Sequence, residues 1–369
     1  MSYSETFVRF ARSEAVGAAP HVADEGLQRE SLAVAAAYSA SLDGLRSERG
    51  DTLRLECGFL QDFRFNGVSG VENGRHCCAL DANLLGAMLD LAMTALSVGD
   101  VLPDVGDADS EDTERVRERN WPMGYALANA AGLDDRRPID RLTLPKDIDR
   151  RRCGVYLQQV ALDLLWRHEI AHALLGHVAF VNERLALRVL NERPRGGRSF
   201  DVLPLEVEAD KHALLSCLDS ASQDAAPFQP EGLALSAEER RRCTVLAANL
   251  VLWFWAYLEG ADRASDPDVE TAETHPPPGL RILQLLSGLA EYFVRVTRDA
   301  DGLAHVVHGV HDDLRAIARA HPRFAILDPL TLYAPERTDA AAAAHRIVAE
   351  RRDAQIDVLA PFRYFERSR

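Results

Sequence analysis

The residues best able to do chemistry lie together in 166–177, the run W-R-H-E-I-A-H-A-L-L-G-H. Within this run, His168, Glu169 and His172 form an H-E-x-x-H motif. On an α-helix the two histidines lie one turn apart on the same face, so both imidazoles can bind a single metal ion. Glu169 projects about 100° away around the helix, close enough to take a proton from metal-coordinated water. The motif is typical of zinc peptidases, and it predicts one zinc ion per chain.

A long apolar helix is predicted to carry this motif. From Val155 onward, apolar residues recur at helical spacing, and the next proline is Pro194. Two histidines and a glutamate buried without partners would destabilise the fold, whereas a bound metal ion satisfies them. The apolar surroundings therefore favour a metal site over a chance match on a surface helix.

A further metal ligand is expected in residues 205–210, which follow a loop. Glu206 and Asp210 are one helical turn apart, and we expect Glu206 to bind the metal while Asp210 orients a ligand histidine through its other ring nitrogen. Glu208 is a competing ligand candidate, although it lies on a different face from Asp210. Acidic residues are also favoured at solvated helix N-termini by the helix dipole, and that interpretation stays open.

Three blocks of the chain resemble those of one gluzincin family of zinc metallopeptidases. The family includes the HtpX heat-shock peptidase, the CaaX prenyl-protein protease and the mitochondrial inner-membrane peptidase Oma. The blocks are H-E-I-A-H-A-L-L-G-H, E-V-E-A-D-K-H-A-L-L and T-H-P-P followed by Arg281-Ile282. Residues 65–85 are similar, more weakly, to the family's asparagine-containing β-hairpin and the apolar helix after it. The resemblance covers about residues 50–295.

The resemblance implies a zinc endopeptidase in which Glu169 is the general base and then the proton donor. The zinc ligands that it implies are His168, His172 and Glu206. The threonine-histidine-proline block closes the core of the family's catalytic domain, which makes His275 a candidate for stabilising the oxyanion. Arg281 would pair with Asp210 or with another carboxylate of the site. A purely structural role for His275 and Arg281, bracing two helices, fits equally well.

The chain also departs from the family in two respects. Most members have transmembrane helices or a secretory signal, and we expect neither here. The interval of 34 residues between His172 and Glu206 is shorter than we expect for the family, and the stretch 97–150 is longer. These departures argue against membrane substrates and leave the chemistry intact. A divergent branch of the family and a separate gluzincin family both fit the sequence.

Composition argues against several classes of function. The chain has 369 residues, of which 47% are apolar and 27% charged, with a formal net charge of −15. Such an acidic protein is a poor match to nucleic acid or to an anionic membrane surface. The most apolar run, 245–258, is shorter than the roughly 20 residues of a membrane span, so we predict a buried helix. The six cysteines show no C-x-x-C pairing, which indicates free thiols and a cytoplasmic protein.

We predict a mainly helical α+β fold of zincin type, with a small β-hairpin or sheet beside the zinc helix. One strand is expected within 52–65 and another within 75–80, separated by turns at Asn66-Gly67 and Asn73-Gly74. One of these strands is expected to hold extended substrate by main-chain hydrogen bonds. The predicted division is an N-terminal helical segment 1–50, a catalytic domain 51–298 and a C-terminal helical segment 299–369 packed on it.

Two other features have open interpretations. The acidic stretch 104–114 is predicted to be a solvated loop, with a flap or docking site as the alternative. His305, His308 and His311 recur every three residues, and we expect exposed or packed histidines rather than a second metal site. His177, close behind the motif, is predicted to end a helix or to contact a ligand histidine.

The sequence thus predicts a narrow-specificity or regulated intracellular zinc endopeptidase, whose partner is a protein or peptide substrate. One alternative is a sensor protease that cleaves a single partner. Another is a metal-binding regulatory protein that retains the scaffold without turnover. Glu169 argues against the second alternative, because metal binding alone does not require that residue. The sequence does not determine the oligomeric state.

Overall fold

A computed structural model describes residues 3–13, 16–21, 26–61, 66–117, 143–185, 189–190, 202–223, 229–259, 278–328 and 335–365. Its helices are α1 (Glu5–Arg12), α2 (Gly26–Leu42), α3 (Asn83–Leu96), α4 (Thr113–Arg117), α5 (Ile148–Leu174), α6 (His177–Leu185), α7 (Leu203–Ala221), α8 (Ala237–Glu259), α9 (Pro278–Glu291), α10 (Ala300–Ala320) and α11 (Pro335–Leu359). Its strands are β1 (Ala19–His21), β2 (Arg46–Ser47), β3 (Leu55–Gln61), β4 (Gly67–Glu72), β5 (Arg75–Asp81) and β6 (Tyr364–Phe365). This mainly helical architecture with a small sheet confirms the predicted α+β class.

Four strands form a mixed sheet in the order β1-β3-β5-β4. β3 and β5 are parallel, whereas β4 and β5 form an antiparallel hairpin. Its turn residues, Asn73 and Gly74, both have positive φ, of 50° and 72°, as the tight two-residue hairpin requires. The turn expected at Asn66-Gly67 is wrong in part, because Gly67 begins β4. Two glycines and a serine give β4 a weak strand pattern in the sequence.

The two ends of the chain join this architecture through strands. β1 extends the sheet by pairing with β3, so the N-terminal segment contributes a strand as well as α1 and α2. Near the other end of the chain, β6 pairs antiparallel with β2 and forms a separate two-stranded sheet. α10 packs against α8. Both terminal segments therefore contact the part of the chain that carries the H-E-x-x-H motif.

α5 is the central helix of the core. Asp147 caps its N-terminus by accepting the N–H groups of Asp149 and Arg150. Apolar residues surround it on nearly all sides, and Trp166 packs edge-on against Phe59 of the sheet. α7 runs along α5, and the apolar α8 packs against both. A helix enclosed in this way holds its side chains in fixed positions, which a metal site requires.

Arg150 joins the start of α5 to the end of α3. Its side chain is fully buried, and its guanidinium donates to the backbone carbonyls of Leu96, Val98, Val101, Leu102 and Val105. Glu111, from the acidic stretch, accepts the N–H groups of Lys146 and Asp147 and lies 3.7 Å from Arg150. Glu111 therefore holds the beginning of α5 in place. The prediction of a solvated loop over 104–114 does not account for this contact.

The apolar run 245–258 lies within α8, where residues 245–254 are buried. Within the part of the chain that the structure describes, none of the helices combines the length and apolar character needed to cross a membrane. The six cysteines are free thiols, and five of them are buried.

Candidate metal centre

His168 and His172 face each other from successive turns of α5. Their Nε2 atoms are 3.0 Å apart, and the residues are only 7% and 2% exposed. Two imidazoles held so close in the interior need a shared partner, since neither ring has access to bulk water. The structure thus places the two histidines as the helical spacing predicted.

Glu206 reaches the same point from the first turn of α7. Its carboxylate oxygens lie 3.3 Å from His168 Nε2 and 3.6 Å from His172 Nε2, and the residue is 2% exposed. Among the described residues, these three form the one group of histidine, cysteine or acidic side chains that could hold a metal ion. His305, His308 and His311 form no such group there, and His305 contacts Glu238 instead.

The donor set fits a metal ion. In a tetrahedral zinc site with bonds of about 2.0–2.1 Å, two ligand nitrogens are about 3.3 Å apart, close to the separation of the two Nε2 atoms here. The carboxylates of Glu206 and Asp210 also favour a cation between the two histidines. Burial lowers the pKa of His168, but the carboxylates of Asp210 and Glu206 outweigh it and raise the pKa to about 10. Burial lowers the pKa of His172 well below its usual range.

Glu169 lies beside this group and is held by strand β4. The Ser69 hydroxyl is 2.7 Å from a carboxylate oxygen of Glu169 and 2.7 Å from its backbone carbonyl. Burial raises the pKa of Glu169 to about 7, although His168 and the Ser69 hydrogen bond oppose the shift. Gly67 approaches the carboxylate so closely that a Cβ there would lie 2.1 Å from Glu169 Oε1. β4 is thus fitted to this glutamate by its small residues.

The first histidine is backed by an ion pair. His168 Nδ1 lies 2.9 Å from Asp210 Oδ1, although the ring is not aligned for an ideal hydrogen bond. Arg281 of α9 donates two hydrogen bonds of 2.6 Å to Asp210. Burial raises the pKa of Asp210, but Arg281 and His168 outweigh it and lower the pKa to about 2. Asp210 is therefore a carboxylate, and we call it and Arg281 the inner pair.

The second histidine is backed by another histidine. α5 ends at Leu174, and Gly176 has a φ of +78°, so the backbone turns before α6 starts at His177. The turn brings His177 Nδ1 within 3.0 Å of His172 Nδ1. His177 Nε2 in turn lies 3.1 Å from Glu208 Oε2. Of the two roles predicted for His177, this position agrees with contact to a ligand histidine, and His177 begins α6 rather than ending a helix.

Glu208 is not part of the metal group. It accepts hydrogen bonds of 2.7 and 2.9 Å from Arg363, near the end of the described chain. Burial raises the pKa of Glu208, but His177 and Arg363 outweigh it and lower the pKa. We call His177, Glu208 and Arg363 the outer triad. Its members come from three separate parts of the chain, so no sequence motif reveals it.

The expectation that a strand within 52–65 or 75–80 binds substrate is wrong, because these strands are β3 and β5, and both are already paired on two sides in the sheet. The free edge of the sheet near Glu169 belongs to β4, which was not predicted from the sequence. Val189 already forms an antiparallel bridge with Gly70, and the Leu190 N–H donates to the Ser69 carbonyl at 3.2 Å. The Gly67 end of β4 is the part closest to Glu169.

The structure brings the predicted site residues together apart from His275. That residue lies outside the described part of the chain, with the rest of the 274–277 block and the loop 191–198. Arg281 pairs with Asp210, one of the two partners that the resemblance implied. Sequence reasoning missed Ser69 and Gly67, for which the only indication was a run of small residues before the Asn73-Gly74 turn.

Comparison with known proteins found no family model, no curated protein and no solved structure that matches this chain. The likeness to gluzincins therefore rests on the short blocks of sequence.

Proposed function

We propose that the protein is a zinc-dependent endopeptidase. The observation that carries the proposal is the position of Glu169, a buried carboxylate that Ser69 holds. Glu169 follows His168 on α5 and interacts electrostatically with His168 and Glu206, two of the three residues that could bind a metal ion. A site that only stores or senses a metal does not need this fourth polar group. The burial of the Glu169 carboxylate destabilises the fold, so we expect that the carboxylate has a function in the site.

The metal is proposed to be zinc because two imidazoles and one carboxylate are a donor set of catalytic zinc sites, which keep another coordination position for water or substrate. Zinc bound there supplies Lewis acidity and lowers the pKa of a coordinated water. His168, His172 and Glu206 would hold it. One ion per chain is expected, since the described residues provide one such group.

Glu169 is proposed to move the proton. It lies one residue from a ligand histidine and is held in place by the Ser69 hydroxyl, so it can accept a proton at the metal position and return it to the leaving amine. The close approach of Gly67 limits the rotation of the carboxylate. These contacts favour a hydrolytic site of zincin type.

The proposed substrate is a protein or peptide in extended form, held at the Gly67 end of β4, since residues 189–190 already pair with Ser69 and Gly70. A cytoplasmic protease needs narrow specificity or regulation, and the six free thiols agree with a reducing compartment.

The direct test compares the wild type with Glu169→Gln, both prepared with zinc. We expect one zinc per chain in both proteins, and cleavage of a library of unstructured peptides by the wild type alone. Glu183→Gln, which changes an exposed glutamate on α6, is the matched control and should cleave like the wild type. Equal cleavage by Glu169→Gln and the wild type would contradict the role of Glu169.

A further inference from the structure

A line of polar contacts leads from His172 to the surface of the molecule. His172 Nδ1 meets His177 Nδ1 at 3.0 Å, His177 Nε2 meets Glu208 Oε2 at 3.1 Å, and Arg363 donates to both Glu208 oxygens. His177 is fully buried, whereas the side chains of Glu208 and Arg363 are 19% and 28% exposed. The buried metal group is thus connected to a partly exposed arginine.

The chemistry of the four groups fixes the direction of the hydrogen bonds. Nε2 of His172 faces His168 and Glu206, so the proton of a neutral His172 ring belongs on Nδ1. Nδ1 of His177 must then accept, and its own proton lies on Nε2, where the Glu208 carboxylate accepts it. Arg363 has only donors and completes the line. Glu208 therefore selects the tautomer of His177, and His177 selects that of His172.

The segment that carries Arg363 is held against the end of α5. A Cβ on Gly176 would lie 2.5 Å from the backbone carbon of Phe362, so the C-terminal backbone packs directly on the turn between α5 and α6. Phe362 also packs in the apolar cluster formed by α6 and the start of α7. The Tyr364 hydroxyl is 3.1 Å from His76 Nε2 of β5. Arg363 is therefore placed by contacts on both sides of it.

We propose that the outer triad positions His172 for metal binding, so that the C-terminal segment is a working part of the metal centre. The inference rests on the proposed metal-binding function of His168, His172 and Glu206. It adds a dependence on residues 360–365 that the ligands themselves do not require. Ligand histidines are oriented through their second nitrogen, and loss of such a partner weakens metal binding about 10–100-fold.

The test measures how fast the zinc-loaded full-length protein gives up its metal to a chromophoric chelator. Arg363→Met removes the charge and the donors while keeping an unbranched side chain, and His177→Phe removes the ring nitrogens. We expect release about 10-fold faster in Arg363→Met and up to about 100-fold faster in His177→Phe. Combining both changes should add little to His177→Phe alone, because they interrupt the same line of contacts.

The matched control is Arg352→Met, which changes another arginine near the C-terminus that pairs with its neighbour Asp353. It should release zinc like the wild type, and Arg363→Lys should restore part of the slow release. Visible spectra of the cobalt-loaded proteins give a second measurement. A changed ligand-field spectrum is expected in Arg363→Met but not in Arg352→Met, whereas a purely structural role would leave the spectrum unchanged.

Unchanged release and an unchanged cobalt spectrum in Arg363→Met would overturn the inference if the wild type binds one metal. If His177→Phe does not fold, Glu208→Gln interrupts the same line at a partly exposed residue and should accelerate release about 10-fold. A wild type that binds neither zinc nor cobalt contradicts the proposed function itself, which separates the two failures.

Discussion

The two histidines of the metal group lie on one face of α5, yet they are backed in different ways. His168 is backed by the inner pair, whose side chains are 10% and 5% exposed and are joined by two hydrogen bonds of 2.6 Å. His172 is backed by the outer triad, which ends in the partly exposed Arg363 on the C-terminal segment.

The inner pair is part of the core, whereas the outer triad forms only when the C-terminal segment packs against α5 and α6. Asp210 and Arg281 are both buried between packed helices, so the inner pair forms only if those helices pack. The outer triad needs a short terminal segment to lie against α5 and α6. One face of a helix thus combines a support built into the core with one that depends on the position of the C-terminal segment.

The largest expected effect comes from breaking the inner pair. Asp210→Ala leaves the buried Arg281 guanidinium without its carboxylate, which costs about 3–5 kcal/mol in the free energy of unfolding. Chemical denaturation of the metal-free protein measures this loss.

Glu208→Ala is the comparison variant. Its carboxylate and Arg363 are partly exposed, so water and salt screen their ion pair. The buried His177 N–H also loses its acceptor, so we expect a loss of about 1–3 kcal/mol, smaller than that of Asp210→Ala. Losses of similar size in the two variants would contradict the distinction between inner pair and outer triad.

A second prediction concerns pH and the docking of the C-terminal segment. Burial lowers the pKa of His76, which contacts Tyr364, to about 4. The unfolded chain has a pKa of about 6.5 there, so it binds more protons than the folded protein as the pH falls from 6.5 to 4. Stability is therefore lost over this window, by at most about 3 kcal/mol for this residue.

His76→Gln should reduce the slope of unfolding free energy against pH in this window, measured by urea denaturation. Burial lowers the pKa of His212 to about 4 as well, so part of the slope persists. His305→Gln, at an exposed histidine, is the control and should keep the full slope. An unchanged slope in His76→Gln would show that His76 does not contribute.

The last prediction tests the turn that brings His177 to His172. Gly176→Ala places a Cβ at a φ of +78° and 2.5 Å from the backbone of Phe362, whereas Gly44→Ala has a φ of +85° with no atom within 4 Å. The control loses about 1–2 kcal/mol from backbone strain alone. Gly176→Ala should lose more and should also release zinc faster, because the C-terminal segment must move.

If the two alanine variants lose the same stability and release zinc at the same rate, Gly176 serves only the backbone turn. That result would leave the C-terminal segment without a structural connection to the metal centre at this point.

The sequence was sufficient for the parts of the site that repeat at helical spacing. His168 and His172 share a face because α5 is a regular helix, and Glu206 and Asp210 are likewise one turn apart on α7. These four residues could be predicted because helical periodicity and local motifs specify them. Arg281 was named only through the resemblance of the third block, which left its partner open. The mainly helical α+β class followed from the same periodic patterns.

The rest depends on contacts that no local pattern encodes. β4 escaped prediction because glycine and serine have weak strand propensity, and those small residues are explained only by their fit against Glu169. In the sequence, Glu208 was a competing ligand candidate. In the structure, the backbone turn at Gly176 brings His177 to its carboxylate, and Glu208 is not part of the metal group. Arg363 is distant in sequence from Glu208, so only tertiary packing shows their contact.

The most direct measurement is anomalous X-ray diffraction at the zinc absorption edge, from crystals of the full-length protein grown with equimolar zinc. We expect one strong peak per chain, enclosed by the Nε2 atoms of His168 and His172 and by the Glu206 carboxylate. Peaks only at other positions, or no peak in a protein shown to be folded, would contradict the proposed metal centre.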